Sequence, residues 1–193
     1  MIYELRSYSF APGHAAAYLA RFQSQGLPLV TAHLPLLGYW LTEAGDLNVL
    51  HHLWVYSDFA DRASRRARLA ADRAWTMEFT PCAILPLVKT QRSRLLQLVY
   101  GSAPLKQAVG QADQHHNARA AEASVLAESY ATLTVSETRV TEEITELVAI
   151  WRIVAGRNLG RHIVLHRFDQ PESIVFGEGE HCDLMRPAVF SPL

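Results

Sequence analysis

Residues 49–56 (Val-Leu-His-His-Leu-Trp-Val-Tyr) carry bulky side chains at odd and even positions alike. Successive side chains of a β-strand point to opposite faces. Leu53 and Val55 therefore occupy one face, and Trp54 and Tyr56 the other. The opening segment repeats the arrangement, with Tyr3 and Leu5 opposite Ile2 and Tyr8. A sheet with one wet face would show a polar side. These strands need cover on both faces, and two helices can cover only one. The second cover is either another subunit's sheet or the second half of this chain. Burying that face contributes roughly 25 cal/mol per Å² of apolar surface.

The same two strands hold an unusual amount of hydrogen-bonding chemistry. Glu4, Arg6 and Tyr8 alternate along the first, and His52, Trp54 and Tyr56 along the other. If the strands pair, an acid, a guanidinium, an imidazole, an indole and two phenols share one sheet face. A ligand site is the reading that uses them.

The order of elements places those strands in a fold. Residues 2–10 read as a strand broken by Ala11-Pro12-Gly13. Ala15, Tyr18, Leu19 and Phe22 then recur at helical spacing, and Gly26 is expected to end that helix. Residues 38–44 and 49–56 form a hairpin around Gly45-Asp46-Leu47-Asn48. Ser57 or Asp58 caps a helix over about 59–73, and 87–99 alternates as a fourth strand. The resulting βαββαβ order for residues 1–100 is ferredoxin-like. Residues 101–129 read as a linker with a weak helix near 118–129. Residues 130–193 read as a shortened second unit: a strand at 130–136, a helix carrying Ile144, Leu147, Val148 and Trp151, and strands at 162–168 and 173–177. A final helix and strand are missing from it, and the tail 186–192 is expected to be irregular.

Composition excludes several classes. A chain of 193 residues that is 49% apolar and 19% charged, with a net charge of −1, gives no electrostatic reason to expect nucleic acid or an acidic membrane. Five arginines lie between 62 and 73, but they spread around the helix beside Asp61 and Asp72. Cys82 and Cys182 read as reduced thiols. Met1 leads straight into strand-like sequence, so no signal peptide is expected, and no stretch reaches the roughly 20 apolar residues of a membrane helix. A cytoplasmic location follows by default. No metal-ligand spacing accompanies His51-His52 or His115-His116, and no glycine-rich nucleotide pattern occurs, so neither a metal nor a cofactor is expected.

Several pieces together resemble the NIPSNAP family: Ile2-Tyr3-Glu4-Leu5-Arg6-Ser7-Tyr8, Pro12-Gly13, Gly38-Tyr39-Trp40, and His52-Leu53-Trp54-Val55-Tyr56 followed by Arg62, Arg65-Arg66 and Trp75. The resemblance covers residues 1–100. It implies a dimeric α+β barrel, the superfamily that also holds cofactor-free antibiotic-biosynthesis monooxygenases, and therefore self-association as a homodimer or higher.

Candidate residues follow from position and chemistry. At 100° per residue Arg66 shares a helix arc with Phe59, Ala63, Ala67 and Ala70 and so points to the sheet. It serves either as a structural partner of Glu4 or Glu43, or as a clamp for a substrate carboxylate, phenolate or enolate. Arg6 divides between the same two roles. His52 is the acid–base candidate, with Tyr8 beside it, while His51 faces the other way and is less attractive. His33 could rim a pocket; Trp40, Trp54 and Trp75 could stack on a planar substrate. The cluster Glu178, Glu180, His181, Cys182 is set aside. The expectation is a small enzyme without a cofactor, with Arg6, Tyr8, His52 and Arg66 catalytic. Glu4, His33, Trp40, Trp54, Tyr56 and Trp75 would bind an aromatic or polyketide-like molecule for oxygenation, cyclisation or isomerisation. The alternative is a non-catalytic ligand-binding or assembly protein.

Overall fold

The computed structural model describes residues 1–137, 146–170 and 181–193. Eight strands form a closed barrel in the order β1-β3-β2-β8-β5-β7-β6-β4, every neighbouring pair antiparallel. They are β1 (Ile2–Phe10), β2 (Leu36–Ala44), β3 (Val49–Tyr56), β4 (Val88–Gly101), β5 (Tyr130–Ser136), β6 (Leu147–Ala155), β7 (His162–Phe168) and β8 (His181–Pro187). The first four lie adjacent as β4-β1-β3-β2. The last four repeat that relative order as β8-β5-β7-β6. One chain thus covers both faces of its own sheet, and closure leaves no open strand edge.

Helices lie outside the first half. α1 (His14–Arg21) runs on through a π-helical turn (Phe22–Gly26) into α2 (Leu27–Thr31), so the helical path passes Gly26 instead of ending there. Ala15, Tyr18, Leu19 and Phe22 are its buried side, as their spacing requires. α3 (Phe59–Ala71) starts on Asp58, whose carboxylate accepts the Asp61 N–H at 2.8 Å, while Asp61 reaches back to the Ser57 N–H at 3.1 Å. A wide-turned helix (Ala74–Ile84) and the single turn α4 (Leu85–Leu87) lead into β4. No helix among the described residues is long and apolar enough to cross a membrane.

The second half departs from the sequence reading in three places. Residues 147–155 form β6, not a helix. Leu147, Val148 and Trp151 show helical spacing only because both strand faces are apolar, a pattern that periodicity cannot distinguish over a short run. The rest of that expected helix and the strand at 173–177 fall outside the described residues. The helix of the 101–129 segment is α5 (Ala103–Gln111), begun by Ser102, which accepts the Leu105 N–H, and by Pro104 in the first turn. No helix occupies 118–129. The final strand that the sequence reading leaves out of the second half is present as β8, which takes in only the first two residues of the tail 186–192; the rest of the tail is irregular. Asp183, Met185 and Pro187 are buried in β8 and alternate with partly exposed Cys182, Leu184 and Arg186.

Two apolar layers result. The barrel interior holds Leu5, Trp40, Leu53, Leu96, Leu133, Trp151, Ile163 and Leu165 packed so closely that the space between them amounts to about 10 Å³. The outer layer, between the first-half strands and the helices, is aromatic. Phe22 stacks on Tyr39 at 4.6 Å between ring centres, and Phe190 of the tail closes on Tyr39 at 5.3 Å. The barrel centre is therefore solid, and polar interior positions remain only towards its end.

Candidate functional site

The pairing of β1 with β3 sets Glu4 opposite Trp54 and Arg6 opposite His52, on the face under α3. Glu4 has no solvent exposure. Its Oε1 accepts Arg62 Nη2 at 2.8 Å and Ser93 Oγ at 2.8 Å. Its Oε2 accepts Arg62 Nε at 3.1 Å and Arg66 Nη2 at 2.8 Å. Arg6 Nη1 and the Tyr56 hydroxyl approach at 3.4 Å each. Burial alone would raise the carboxyl pKa, but Arg62, Arg66, Ser93 and Arg6 overcome it and hold Glu4 at about 2. Tyr56, beside it, is pushed up to about 12, chiefly by burial.

His52 is buried one residue pair away. Trp54 Nε1 donates to its Nδ1 at 2.7 Å, which places the ring proton on Nε2. Burial and the Arg6 and Arg66 charges drive its pKa well below the ordinary histidine value. Its ring meets Tyr8 edge-on at 4.6 Å. The Nε2 of His52 and the Nε atoms of Arg6 and Arg66 are buried without hydrogen-bond partners. So the structure gathers Glu4, Arg6, Tyr8, His52, Trp54, Tyr56 and Arg66, but around a carboxylate already saturated by protein donors.

Other expected residues lie elsewhere. Trp40 faces the barrel interior, across the sheet from Trp54. Trp75 stacks on Phe79 at 5.0 Å in the helical layer. His33 Nε2 bonds Asp72 at 2.8 Å, and Asp72 in turn accepts the Ala74 and Trp75 N–H groups, so His33 secures a helix start. Arg66 does point to the sheet, but its neighbours on that side are Arg62 and Leu69. Phe59, Ala63, Ala67 and Ala70 are exposed. Arg62 is the partner that the pattern of apolar residues missed; its i, i+4 relation to Arg66 was the available signal.

A cavity lies at one barrel end, on the face opposite His52. Ser7 and Ser9 of β1, His51 of β3, Thr90, Arg92 and Arg94 of β4, and Asp183 of β8 line a space of about 450 Å³. Ser7 Oγ lies 2.9 Å from His51 Nδ1, and His51 Nε2 lies 3.3 Å from Asp183 Oδ2, off the line of an ideal hydrogen bond. Asp183 is fixed by the Asp46 N–H at 2.9 Å and by His181 Nε2 at 3.0 Å. Burial would raise its pKa, but His51, the Asp46 N–H and His181 lower it below the usual aspartate value. Gly45 makes room for this carboxylate: it sits at φ +100°, and a Cβ there would stand 2.3 Å from Asp183 Oδ1.

Arg94 is the unbalanced charge of this cavity. Its Nε is buried without a hydrogen-bond partner, and no carboxylate among the described residues pairs with it. Burial first, then Arg92 and Arg157, lower its pKa from the ordinary arginine value. Among the described residues no three metal-ligating side chains converge. The site can receive a small anion through Arg94 and exchange a proton through His51.

A barrel of this kind, helices on one outer side and a polar cavity at its mouth, defines an α+β barrel protein. Residues 3–103 match the profile of the NIPSNAP family, and the chain belongs to that family. Human NipSnap homolog 3A is 37% identical over 100 residues, which take in 51% of this chain and 40% of the human protein. The chain thus spans less than half the length of that relative. A solved NIPSNAP family protein of unknown function from Agrobacterium tumefaciens is 36% identical, covering 53% of this chain and 92% of its own, with a TM-score of 0.51. A proposed monooxygenase from Fusobacterium nucleatum shares only 8% identity, but covers 97% of this chain and 91% of its own with a TM-score of 0.56. That last likeness shows the eight-stranded fold across the whole chain.

Proposed function

We propose that this NIPSNAP protein binds a small organic anion in the barrel mouth, with Arg94 as the charge that selects it. One observation carries the reading: a half-buried guanidinium without an acidic partner lines a cavity of about 450 Å³. A buried cation without a counter-ion is costly, and a bound carboxylate, phenolate or enolate supplies one through charge-assisted hydrogen bonds. Leu133 and Val135 on the far wall give an apolar body something to pack against. We read each half of the barrel as a ferredoxin-like unit, the second with its helices reduced, so that the mouth lies where the two units meet.

The test is calorimetric titration of the full chain with benzoate and 1-naphthoate. Binding that falls at least tenfold in Arg94→Met, and not in the surface variant Arg68→Ala, is the expected result. Equal affinity in wild type and Arg94→Met would end the proposal.

A second reading rests on the three buried N–H groups without partners at Arg6, His52 and Arg66. Those donors fit an enolate or phenolate oxygen between sheet and helices, with Tyr8 and His52 moving a proton during cofactor-free oxygenation, cyclisation or isomerisation. It requires Tyr39 and the neighbouring rings to part, since they pack closely around His52. The barrel mouth needs no such movement.

A further inference from the structure

We infer that Ser7 is an activated nucleophile and that the barrel mouth hydrolyses esters of small carboxylate-bearing molecules. The inference rests on the mouth as an anion site and adds a reaction to it. Ser7, His51 and Asp183 form a continuous chain from a cavity-lining hydroxyl to a buried carboxylate, at 2.9 and 3.3 Å. The carboxylate beside Nε2 draws the ring proton to that nitrogen. Nδ1 is then the acceptor, and the Ser7 hydroxyl donates to it. This is the arrangement a serine needs to lose its proton during attack. The His51–Asp183 contact is out of line for a hydrogen bond, so Asp183 acts on Nε2 through its charge at 3.3 Å.

Strand register supplies the rest of the site. Ser7 pairs with His51 on β3 and with Arg92 on β4, so the nucleophile stands between its base and a cation. Arg94 lies two residues further along β4, opposite Leu5 and deeper in the barrel. Arg94 holds the fixed carboxylate of the substrate and Arg92 meets the oxygen that becomes negative on attack. Asp183 is itself positioned by the Asp46 N–H, by His181 and by the absence of a side chain at Gly45. The Gly45–Asp46 turn, β3 and Asp183's own strand therefore converge on this one carboxylate.

The chemistry balances without any further reagent. Ser7 Oγ bonds to the ester carbonyl carbon, and its proton passes to His51 Nδ1. The carbon–oxygen bond to the alcohol breaks, and His51 returns the proton to the departing oxygen. Water then attacks the acyl group, giving its proton to His51. The acyl–Oγ bond breaks, and Ser7 takes that proton back. The net reaction consumes one ester and one water and yields an acid and an alcohol.

The experiment uses the full chain and two probes. Mono-4-nitrophenyl succinate carries the required carboxylate, and 4-nitrophenyl acetate lacks it. Expected are a stoichiometric burst of 4-nitrophenolate from the succinate, at least tenfold faster than from the acetate, and a succinyl adduct mapped to Ser7 by mass spectrometry. Ser7→Ala should lose burst and adduct, whereas the surface variant Arg68→Ala should keep both. Should Ser7→Ala fold poorly, phenylmethanesulfonyl fluoride labelling of the wild type, blocked by benzoate, reads the same nucleophile. Benzoate binding that depends on Arg94, without any adduct at Ser7, would overturn the nucleophile and leave the anion site standing. Failure of both benzoate binding and adduct formation would remove the site itself, and an adduct at another residue would also overturn the assignment.

Discussion

Arg62 closes on Glu4 with two parallel hydrogen bonds, Nε to Oε2 at 3.1 Å and Nη2 to Oε1 at 2.8 Å, around a carboxylate that has no solvent exposure. The pair ties α3 to β1, and Ser93 adds β4 to the same knot. The acid that looked like part of a ligand site in the alternating strand is therefore the anchor of the helical layer.

Glu4→Gln should cost about 3 kcal/mol or more in urea unfolding, because it strands the arginine charges beside a neutral group. The wild type should also weaken in acid. Its folded-state pKa of about 2 lies below the ordinary 4.5, so the stabilisation is complete above pH 4.5 and is lost as pH falls towards 2. The amount is about 3 kcal/mol by linkage. Glu4→Gln should flatten the stability curve across that window; an unchanged acid slope would show that Glu4 is not its source.

His52 should stay neutral in the folded protein on both sides of the ordinary histidine value of 6.5. Burial and the neighbouring arginines place its pKa well below 6.5, so the unfolded chain takes up a proton that the folded one refuses. Stability from this residue is accordingly lost as pH drops below 6.5. Nitrogen-15 spectra of the imidazole should show an unprotonated Nδ1 both above and below pH 6.5, and a midpoint near the ordinary value would contradict the burial argument.

Gly38→Ala should destabilise by about 1–3 kcal/mol, as overpacking does. A Cβ at this position would come within 1.8 Å of the Trp40 ring, which is itself buried in the barrel. The expected readout is a fall in Tm of about 2–4 °C per kcal/mol for a chain of this size. A variant as stable as wild type would mean that the Trp40 ring can swing aside, and hence that the barrel core is looser than its packing.

Arg94→Met should behave in the opposite way. Since its guanidinium has no acidic partner among the described residues, replacing it by an apolar side chain removes a desolvated charge and leaves stability within about 0.5 kcal/mol of wild type or above it. Thermal unfolding without ligand checks this. A large loss would reveal a structural role and weaken the claim that the charge waits for a ligand.

The first half was legible for a local reason. Its strands alternate, its turn residues stand where turns occur, and Asp58 caps the helix it precedes. The predicted cluster also came together, because side-chain period two and antiparallel pairing suffice to bring Glu4, Arg6, His52 and Trp54 to one face. What the pattern could not show was occupancy. Arg62 and Ser93 reach Glu4 across 58 and 89 residues, and those contacts turn a would-be site into a structural knot.

The second half was misread where local signals are ambiguous. Residues 147–151 are buried on both faces, and only Arg152 and Val154 are exposed further along, so helix and strand spacings coincide over the apolar run. Strand β8 was missed because its partners, Trp40 to Ala44 and Ala131 to Val135, are remote in the chain.

Alternation and turn chemistry by themselves settled that strands 1 to 4 exist, that both sheet faces are buried and that His51 and His52 look in opposite directions. Only tertiary structure decided which direction holds the cavity. Barrel closure carries Asp183 from the far end of the chain to His51, and sets Arg94 in the same cavity without an ion pair to it. Periodicity fixes the direction of each side chain relative to its own strand, whereas a site depends on what the rest of the chain places in front of it.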